Sequence, residues 1–74
     1  MRISYDPEAD VLLVVFRELP PADAVEETGG VILSYGEDGD PVSLELLHAA
    51  DRGLIGPGGV QVTVQILERA RANQ

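Results

Sequence analysis

Residues 11–16 place the strongest constraint on the fold of this chain, because six apolar residues follow one another between Asp10 and Arg17. Three of the six are valine, and a short apolar run of this composition is typical of a buried strand. Successive side chains of a strand point to opposite faces of its sheet, so this strand is apolar on both faces. We therefore expect a strand over residues 11–17 that has to be covered twice.

Four further segments have the pattern of strands, and together they predict two hairpins and an edge strand. Apolar and polar residues alternate at the N-terminus before Asp6-Pro7, a pair that favours a turn. Asp38-Gly39 lies between two apolar segments and is a strong hairpin signal. The predicted strands span residues 2–5 paired with 11–17, residues 31–35 paired with 41–47, and residues 24–27 at an edge.

The C-terminal third of the chain has a mixed pattern. Residues 48–52 have the length of one helical turn before Gly53, and residues 56–59, Gly-Pro-Gly-Gly, predict a flexible connector. Residues 60–66 alternate between branched apolar and polar side chains, as in a strand, whereas residues 67–72 have the composition of a short helix. A helix over the alternating part would scatter its four branched residues, so we expect a strand followed by a frayed helical turn.

These assignments predict a single domain over residues 1–74, with a two-hairpin core at 1–52 and a C-terminal extension at 53–74. The expected class is mostly β (α+β): an antiparallel sheet of four to five strands, with a short helical turn near residues 48–52, at the C-terminus or at both. A chain of 74 residues buries only about 60 % of its unfolded surface. Without cysteine it has no disulfide to compensate, so we expect marginal stability as a monomer.

The second apolar face of residues 11–17 needs separate cover, because an open sheet of this size has one face for a core. Curling into a partial barrel, packing of the C-terminal segment and association with another copy of the chain would each provide it. Thin stability favours the last of these. We therefore expect a homodimer or another homo-oligomer.

The charge of the chain bears on its partners. Thirteen acidic and five basic residues give a net charge of −8, and the basic residues are scattered arginines with no lysine. Nucleic acid and anionic membranes are disfavoured as direct ligands, since binding phosphates needs clustered cations. A basic protein partner would be attracted, although net charge also serves solubility. The sequence has no run of 18 apolar residues and no apolar signal segment, so we expect a cytoplasmic location.

An acidic cluster in the first predicted loop resembles the start of a calcium-binding loop. Asp6, Glu8 and Asp10 have the spacing of its first three ligands. The sixth and twelfth positions, which would be Gly and Glu, are Val11 and Arg17, so the motif fails at both. Turn chemistry accounts for the acidic residues without a metal.

His48 is the single imidazole and therefore the one candidate for acid–base chemistry near neutral pH, with Asp51 placed to orient it if the segment is helical. No strand-turn-helix nucleophile motif is present. A second acidic turn, at residues 37–40, would complete a divalent-metal site only by approaching the first loop in space. We therefore expect no catalytic residue, no cofactor and no metal. The weak metal candidates are Asp6, Asp10, Asp38 and His48.

The order of these motifs resembles a known family. Residues 3–12 (ISYDPEADVL), residues 30–35 (GVILSY), Asp38-Gly39 and residues 42–46 resemble the family catalogued as domain of unknown function 2283. The resemblance covers residues 1–52 and implies a small bacterial or archaeal protein, mostly β or α+β, without an established activity or agreed catalytic residues. It further implies an antitoxin-like binding role, because some such genes are thought to neighbour small toxin-like genes.

The chain departs from the commoner family pattern in two places. Ser34 stands where an acidic residue is frequent, and the Gly-Pro-Gly-Gly segment with the alternating tail is an addition. A function of the tail would therefore belong to this branch of the family.

Two hypotheses of different classes follow from these observations. The first is a non-catalytic interaction module, a small homodimeric sheet protein whose acidic surface binds a basic protein. The alternative is a small metal-dependent hydrolase with a site shared between subunits and built from Asp6, Asp10, Asp38 and His48. The absence of a catalytic set favours the first.

Overall fold

A computed structural model describes residues 1–69 and shows one five-stranded antiparallel sheet. The fold is mostly β, as predicted, and the part of the chain that the structure describes contains no helix. It likewise contains no helical segment long and apolar enough to cross a membrane. The strands are β1 (Arg2–Asp6), β2 (Val11–Val15), β3 (Asp23–Glu27), β4 (Val31–Tyr35) and β5 (Pro41–Leu47).

The spatial order of the strands is β1-β2-β5-β4-β3. Both predicted hairpins are confirmed, since β1 pairs with β2 and β4 pairs with β5. β3 is an edge strand, as predicted, and pairs with β4. The hairpins join where β2 pairs with β5, so that the chain between β2 and β3 passes along one end of the sheet in a Greek-key connection.

β2 is shorter than predicted because a bulge ends its regular pairing. The N–H groups of Phe16 and Arg17 both donate to the carbonyl of Val42, at 2.7 and 3.2 Å. Two consecutive residues, Phe16 and Arg17, thus lie opposite the single residue Val42, which is the geometry of a β-bulge. The bulge turns the chain out of the ladder at Val15, two residues before the predicted end.

Residues 48–52 form a hydrogen-bonded turn and not a helix, although the Arg52 N–H does donate to the His48 carbonyl at 2.9 Å. His48 has a φ of 57°, outside the right-handed helical region, so the helical geometry does not begin there. Ala49, the next residue, is completely buried. The turn therefore packs against one end of the sheet through Ala49.

The C-terminal prediction is wrong over the residues that the structure describes. Residues 56–59 close as a turn, with two hydrogen bonds between Gly56 and Gly59, and residues 60–69 belong to no strand or helix. The predicted strand over 60–66 lacks a neighbour to pair with, and alternation alone does not supply one. Residues 67–69 of the predicted helical turn are not helical, and residues 70–72 lie outside the described residues.

The pairing register assigns each strand residue to one of two faces. We call one of them face A; along the three central strands its side chains are all apolar or aromatic. The apolar and aromatic residues of face A are Ile3, Tyr5, Leu12, Val14, Val25, Val31, Leu33, Tyr35, Val42, Leu44 and Leu46, and its charged residues, Asp23 and Glu27, lie on the edge strand β3. The opposite face, face B, combines Val11, Leu13, Val15, Ile32 and Leu47 with Ser4, Ser34, Ser43 and Glu45.

The sheet is a single layer. Strands contact only their neighbours in the sheet, and β1 and β3 do not meet to close a barrel. Among the described residues, only four hydrophobic side chains are buried: Leu12, Val15, Val42 and Ala49. Within the described residues, then, β1 and β3 do not pair to close a barrel, and residues 60–69 are exposed and do not cover the sheet.

Candidate functional site

Polar side chains gather at the two opposite ends of the sheet. At one end, the loop after β1 lies beside the turn that follows β5, because β1 and β5 run in the same direction on either side of β2. Asp10, His48 and Asp51 meet there, with one ligand atom from each within 4.8 Å of the others. We call these three residues the Asp10 cluster.

Asp10 is the anchor of the cluster and links three parts of the chain. Its Oδ1 accepts hydrogen bonds from the Tyr5 hydroxyl and the Ala50 N–H, both at 2.8 Å. Its carbonyl accepts the Ala49 N–H at 3.0 Å. The bond from Ala50, followed by that from Tyr5, lowers the pKa of Asp10, because both stabilise the carboxylate. The same bond to Asp10 raises the pKa of Tyr5.

Asp10 and His48 share an unusual backbone conformation, since each has a φ of 57°. The left-handed region is uncommon for residues other than glycine, although Asp, Asn and His are enriched there. Here it lets the chain leave β1 and β5 sharply enough for the loop and the turn to meet. The structure therefore gives both residues a role in shaping this end of the sheet.

The Asp10 cluster offers one imidazole and two carboxylates, a donor set that suits zinc or manganese. One oxygen of Asp10 is already used by two hydrogen bonds within the chain. His48 and Asp51 are exposed, so no apolar wall surrounds them to exclude water. The hydrogen bonds of Asp10 connect the loop after β1 to the turn after β5, which is a structural role.

The other two predicted candidates lie apart from the Asp10 cluster. Asp6 accepts the N–H groups of Glu8 and Ala9 at 3.0 and 3.3 Å, which makes it the first residue of its own turn. Asp38 lies at the opposite end of the sheet, about 16 Å away along five-residue strands. The single chain thus brings Asp10 and His48 together and leaves Asp6 and Asp38 outside.

Asp38 forms a two-pronged ion pair with Arg17. The Arg17 Nη1 and Nη2 donate to its two carboxylate oxygens at 2.8 and 3.0 Å. The same guanidinium also donates to the carbonyls of Asp40 and Pro41, at 3.0 and 3.2 Å. The Arg17 hydrogen bonds hold the pKa of Asp38 well below its usual range. Arg17 is therefore a clamp on the turn before β5.

Face B contains an open depression lined by side chains of opposite character. Val11 and Leu13 line it together with the carboxylates of Asp6 and Glu45. Glu45 lies on the central strand β5, half-buried, and is paired with Leu13 on one side and Ile32 on the other. An acidic group at the centre of face B makes the two faces chemically different.

The architecture defines a class: a small single-layer Greek-key sheet whose face A is apolar along its central strands. The sequence profile of the family described as protein of unknown function (DUF2283) matches residues 2–49, more than half of the chain, and the chain belongs to that family. No curated protein and no solved structure matches the chain. The family match ends at Ala49, before the tail.

Sequence reasoning identified His48 and Asp10 but missed the partners that position them. Tyr5 lies within the alternating pattern of β1, which gives no sign that its phenol reaches Asp10. Arg17 was noted only as a residue that breaks a calcium motif, yet it makes four hydrogen bonds. An arginine just after a strand and an Asp-Gly turn farther along the chain are the signal that would have suggested this contact.

Proposed function

We propose that the protein is a non-catalytic, homo-oligomeric interaction module of the cytoplasm, in which face A of the sheet is covered by face A of a second copy. The observation that carries the proposal is the open single-layer sheet. Leu44, on the central strand, is only half-buried, and Ile3 and Val25 are 36 % and 41 % exposed. Two such sheets packed face to face would form a sandwich with a shared core.

The contrast between the faces supports face A as the contact surface. A symmetric pair joined through face B would place two Glu45 carboxylates in one interface, and burying unpaired like charges is costly. Along β1, β2, β5 and β4, face A carries no charged side chain, and its polar groups are the hydroxyls of Tyr5 and Tyr35; the Tyr5 hydroxyl already donates to Asp10. The charged side chains of face A, Asp23 and Glu27, lie on the exposed edge strand β3, at the rim of a two-fold contact through this face.

The outer surface of such a dimer would be strongly acidic. Eleven of the thirteen acidic residues are exposed, and only Asp10 and Glu45 are half-buried. Two of the four arginines in the described part of the chain form ion pairs, Arg2 with Glu18 and Arg17 with Asp38. We propose a basic protein as the partner of this surface. An antitoxin-like role, with a small basic toxin as that partner, is the form that the family resemblance suggests.

Two neighbouring residues of β4 provide a matched test of the face. Leu33 lies on face A and Ile32 on face B, and both are half-buried. We expect the wild-type protein to sediment as a dimer, Leu33→Asp to sediment as a monomer, and Ile32→Asp to remain a dimer. Circular dichroism checks that each variant keeps its sheet. A single-chain mass for the wild type at micromolar concentration, or equal behaviour of the two variants, contradicts the proposal.

The partner is tested separately by purification of the untagged protein from its native host at low and high salt. A basic protein that co-purifies at low salt and is released by salt supports the proposal, because screening weakens attraction between opposite charges. Recovery of the homodimer alone at every salt concentration would remove the basic partner and leave the homo-oligomer standing.

A further inference from the structure

The tail that follows the Gly56–Gly59 turn has the side-chain alternation of a strand but no neighbouring strand to pair with. Its branched side chains Val62, Val64 and Ile66 are 54 %, 80 % and 93 % exposed, and polar residues separate them. An exposed alternating segment of this kind has the pattern of a strand that adds to the edge of another sheet, where its backbone groups exchange water for ladder hydrogen bonds. The described chain does not pair it with either of its own edges.

We infer that residues 60–66 of each copy add as a sixth strand to the free edge of β1 in the second copy of the dimer. This inference rests on the homo-oligomer proposed above and identifies the segment that completes it. The exchange is reciprocal, so both copies give a tail and receive one.

The side-chain pattern selects β1 and excludes the other edge. β1 presents Ile3 and Tyr5 on face A and Ser4 between them on face B. A tail strand beside it would place its valines next to Ile3 and Tyr5, with Thr63 next to Ser4. The valines then lie beside apolar or aromatic side chains and the Thr63 hydroxyl lies beside the Ser4 hydroxyl, which are favourable cross-strand pairs.

The edge formed by β3 lacks this match. Its face A side carries Asp23 and Glu27 on either side of Val25, and its other side carries Glu26. Valines added here would lie beside carboxylates. Charged residues on an edge strand discourage the addition of a further strand.

The five-stranded sheet alone is too small to form an interface of the usual size. Five strands at about 4.8 Å spacing and five residues at about 3.3 Å cover about 400 Å² per face, or about 800 Å² for two faces. Stable interfaces bury about 1,200 to 2,000 Å². A sixth strand on each sheet widens face A with further valines and adds a ladder of backbone hydrogen bonds between the copies.

The first test compares two double substitutions that add the same charge to opposite sides of the tail. Val62→Asp with Val64→Asp should weaken dimerisation by at least about 100-fold in sedimentation equilibrium, because two buried valines are lost. Gln61→Asp with Gln65→Asp should weaken it much less. The tail is exposed in the single chain, so neither variant should unfold the sheet.

The second test identifies the edge by crosslinking, which the natural absence of cysteine makes clean. A Ser4→Cys chain mixed with a mass-tagged Thr63→Cys chain should give a mixed covalent dimer on oxidation. A Glu26→Cys chain mixed with the same tail variant should not. A double Ser4→Cys, Thr63→Cys chain that crosslinks only within itself would overturn the exchange between copies.

The outcomes separate this inference from the proposed function. A wild-type dimer whose dissociation constant is unchanged by Val62→Asp with Val64→Asp would overturn the tail exchange and leave the dimer through face A in place. A wild-type monomer would overturn both. Crosslinking at the β3 edge would overturn the choice of β1 alone.

Discussion

At the scale of single residues, Arg17 shows how one side chain can hold two segments together: the end of β2 and the turn between β4 and β5. It leaves the bulge at the end of β2 and reaches across to the turn before β5, where it meets one carboxylate and two carbonyls. Its side chain is about one-third exposed, and that of Asp38 about half. The contact is therefore partly screened by water, and its value lies in geometry as much as in charge.

We expect Arg17→Met to lower the midpoint of denaturant unfolding at neutral pH. The pKa of Asp38 is lowered in the folded state, so its ionisation contributes stability above the unfolded pKa of about 3.9, and this is lost as pH falls below that value. The difference between the wild type and Arg17→Met should accordingly shrink between pH 5 and pH 2.

Arg2→Met is the matched control, because it removes the more exposed ion pair with Glu18. It should change the midpoint less at every pH. If the gap between Arg17→Met and the wild type is the same at acidic and neutral pH, the ion pair with Asp38 is not what the substitution removed.

At the scale of elements, the strands were predictable where both the side-chain pattern and the turn chemistry pointed the same way. Asp38-Gly39 and the apolar segments beside it predicted β4 and β5 within one residue, and Gly39 has the φ of 84° that this turn requires. The tail had the pattern of a strand without a partner, and a strand exists only by pairing. The alternation of side chains therefore predicted the strands of the hairpins correctly, but it did not predict the structure of a segment without a partner strand.

The candidate site was predictable only in part for a related reason. The composition singled out His48 and three acidic residues, Asp6, Asp10 and Asp38, but nothing in their spacing reveals which end of a sheet each one occupies. That depends on strand direction and on the pairing of β2 with β5, which connects segments about thirty residues apart. His48 and Asp51 join Asp10 through that pairing, whereas Asp38 lies at the other end. Tyr5 reaches Asp10 within the first hairpin.

The position of a strand in the sheet should also set the cost of truncating its side chains. Leu44 lies on the central strand between Val14 and Leu33, whereas Val25 lies on the edge and is 41 % exposed. We expect Leu44→Ala to cost about 2 kcal/mol of unfolding free energy and Val25→Ala less than about 1. Urea unfolding at a concentration that keeps the protein monomeric measures both. A larger loss for Val25→Ala would contradict the central position of β5.

At the scale of the whole molecule, the net charge opposes dimerisation, whereas the apolar face A favours it. Two copies of a chain with a net charge of −8 repel, while face A draws them together. Dimerisation should therefore tighten with salt, by an amount that reflects screening. A basic protein bound to the acidic surface should show the opposite dependence.

We expect the dissociation constant of the homodimer to fall several-fold as NaCl rises from about 0.01 M to about 0.15 M, where the Debye length shortens from about 30 Å to about 8 Å. Sedimentation equilibrium in a salt series measures it. Weakening of the homodimer by salt would mean that charge attraction, and not the apolar face, holds the copies together.

The pairing of β2 with β5 has a consequence for how the chain reaches its fold. Each hairpin is built from residues close in sequence, whereas Val11 pairs with Leu47 and Val15 with Ser43, which lie 36 and 28 positions apart. Closing so long a loop costs entropy before its contacts form, and such steps slow folding. We expect the two hairpins to form early and their junction to set the rate. While they are apart, both faces of β2 are open to other chains, so concentration during folding governs whether the sheet assembles or aggregates.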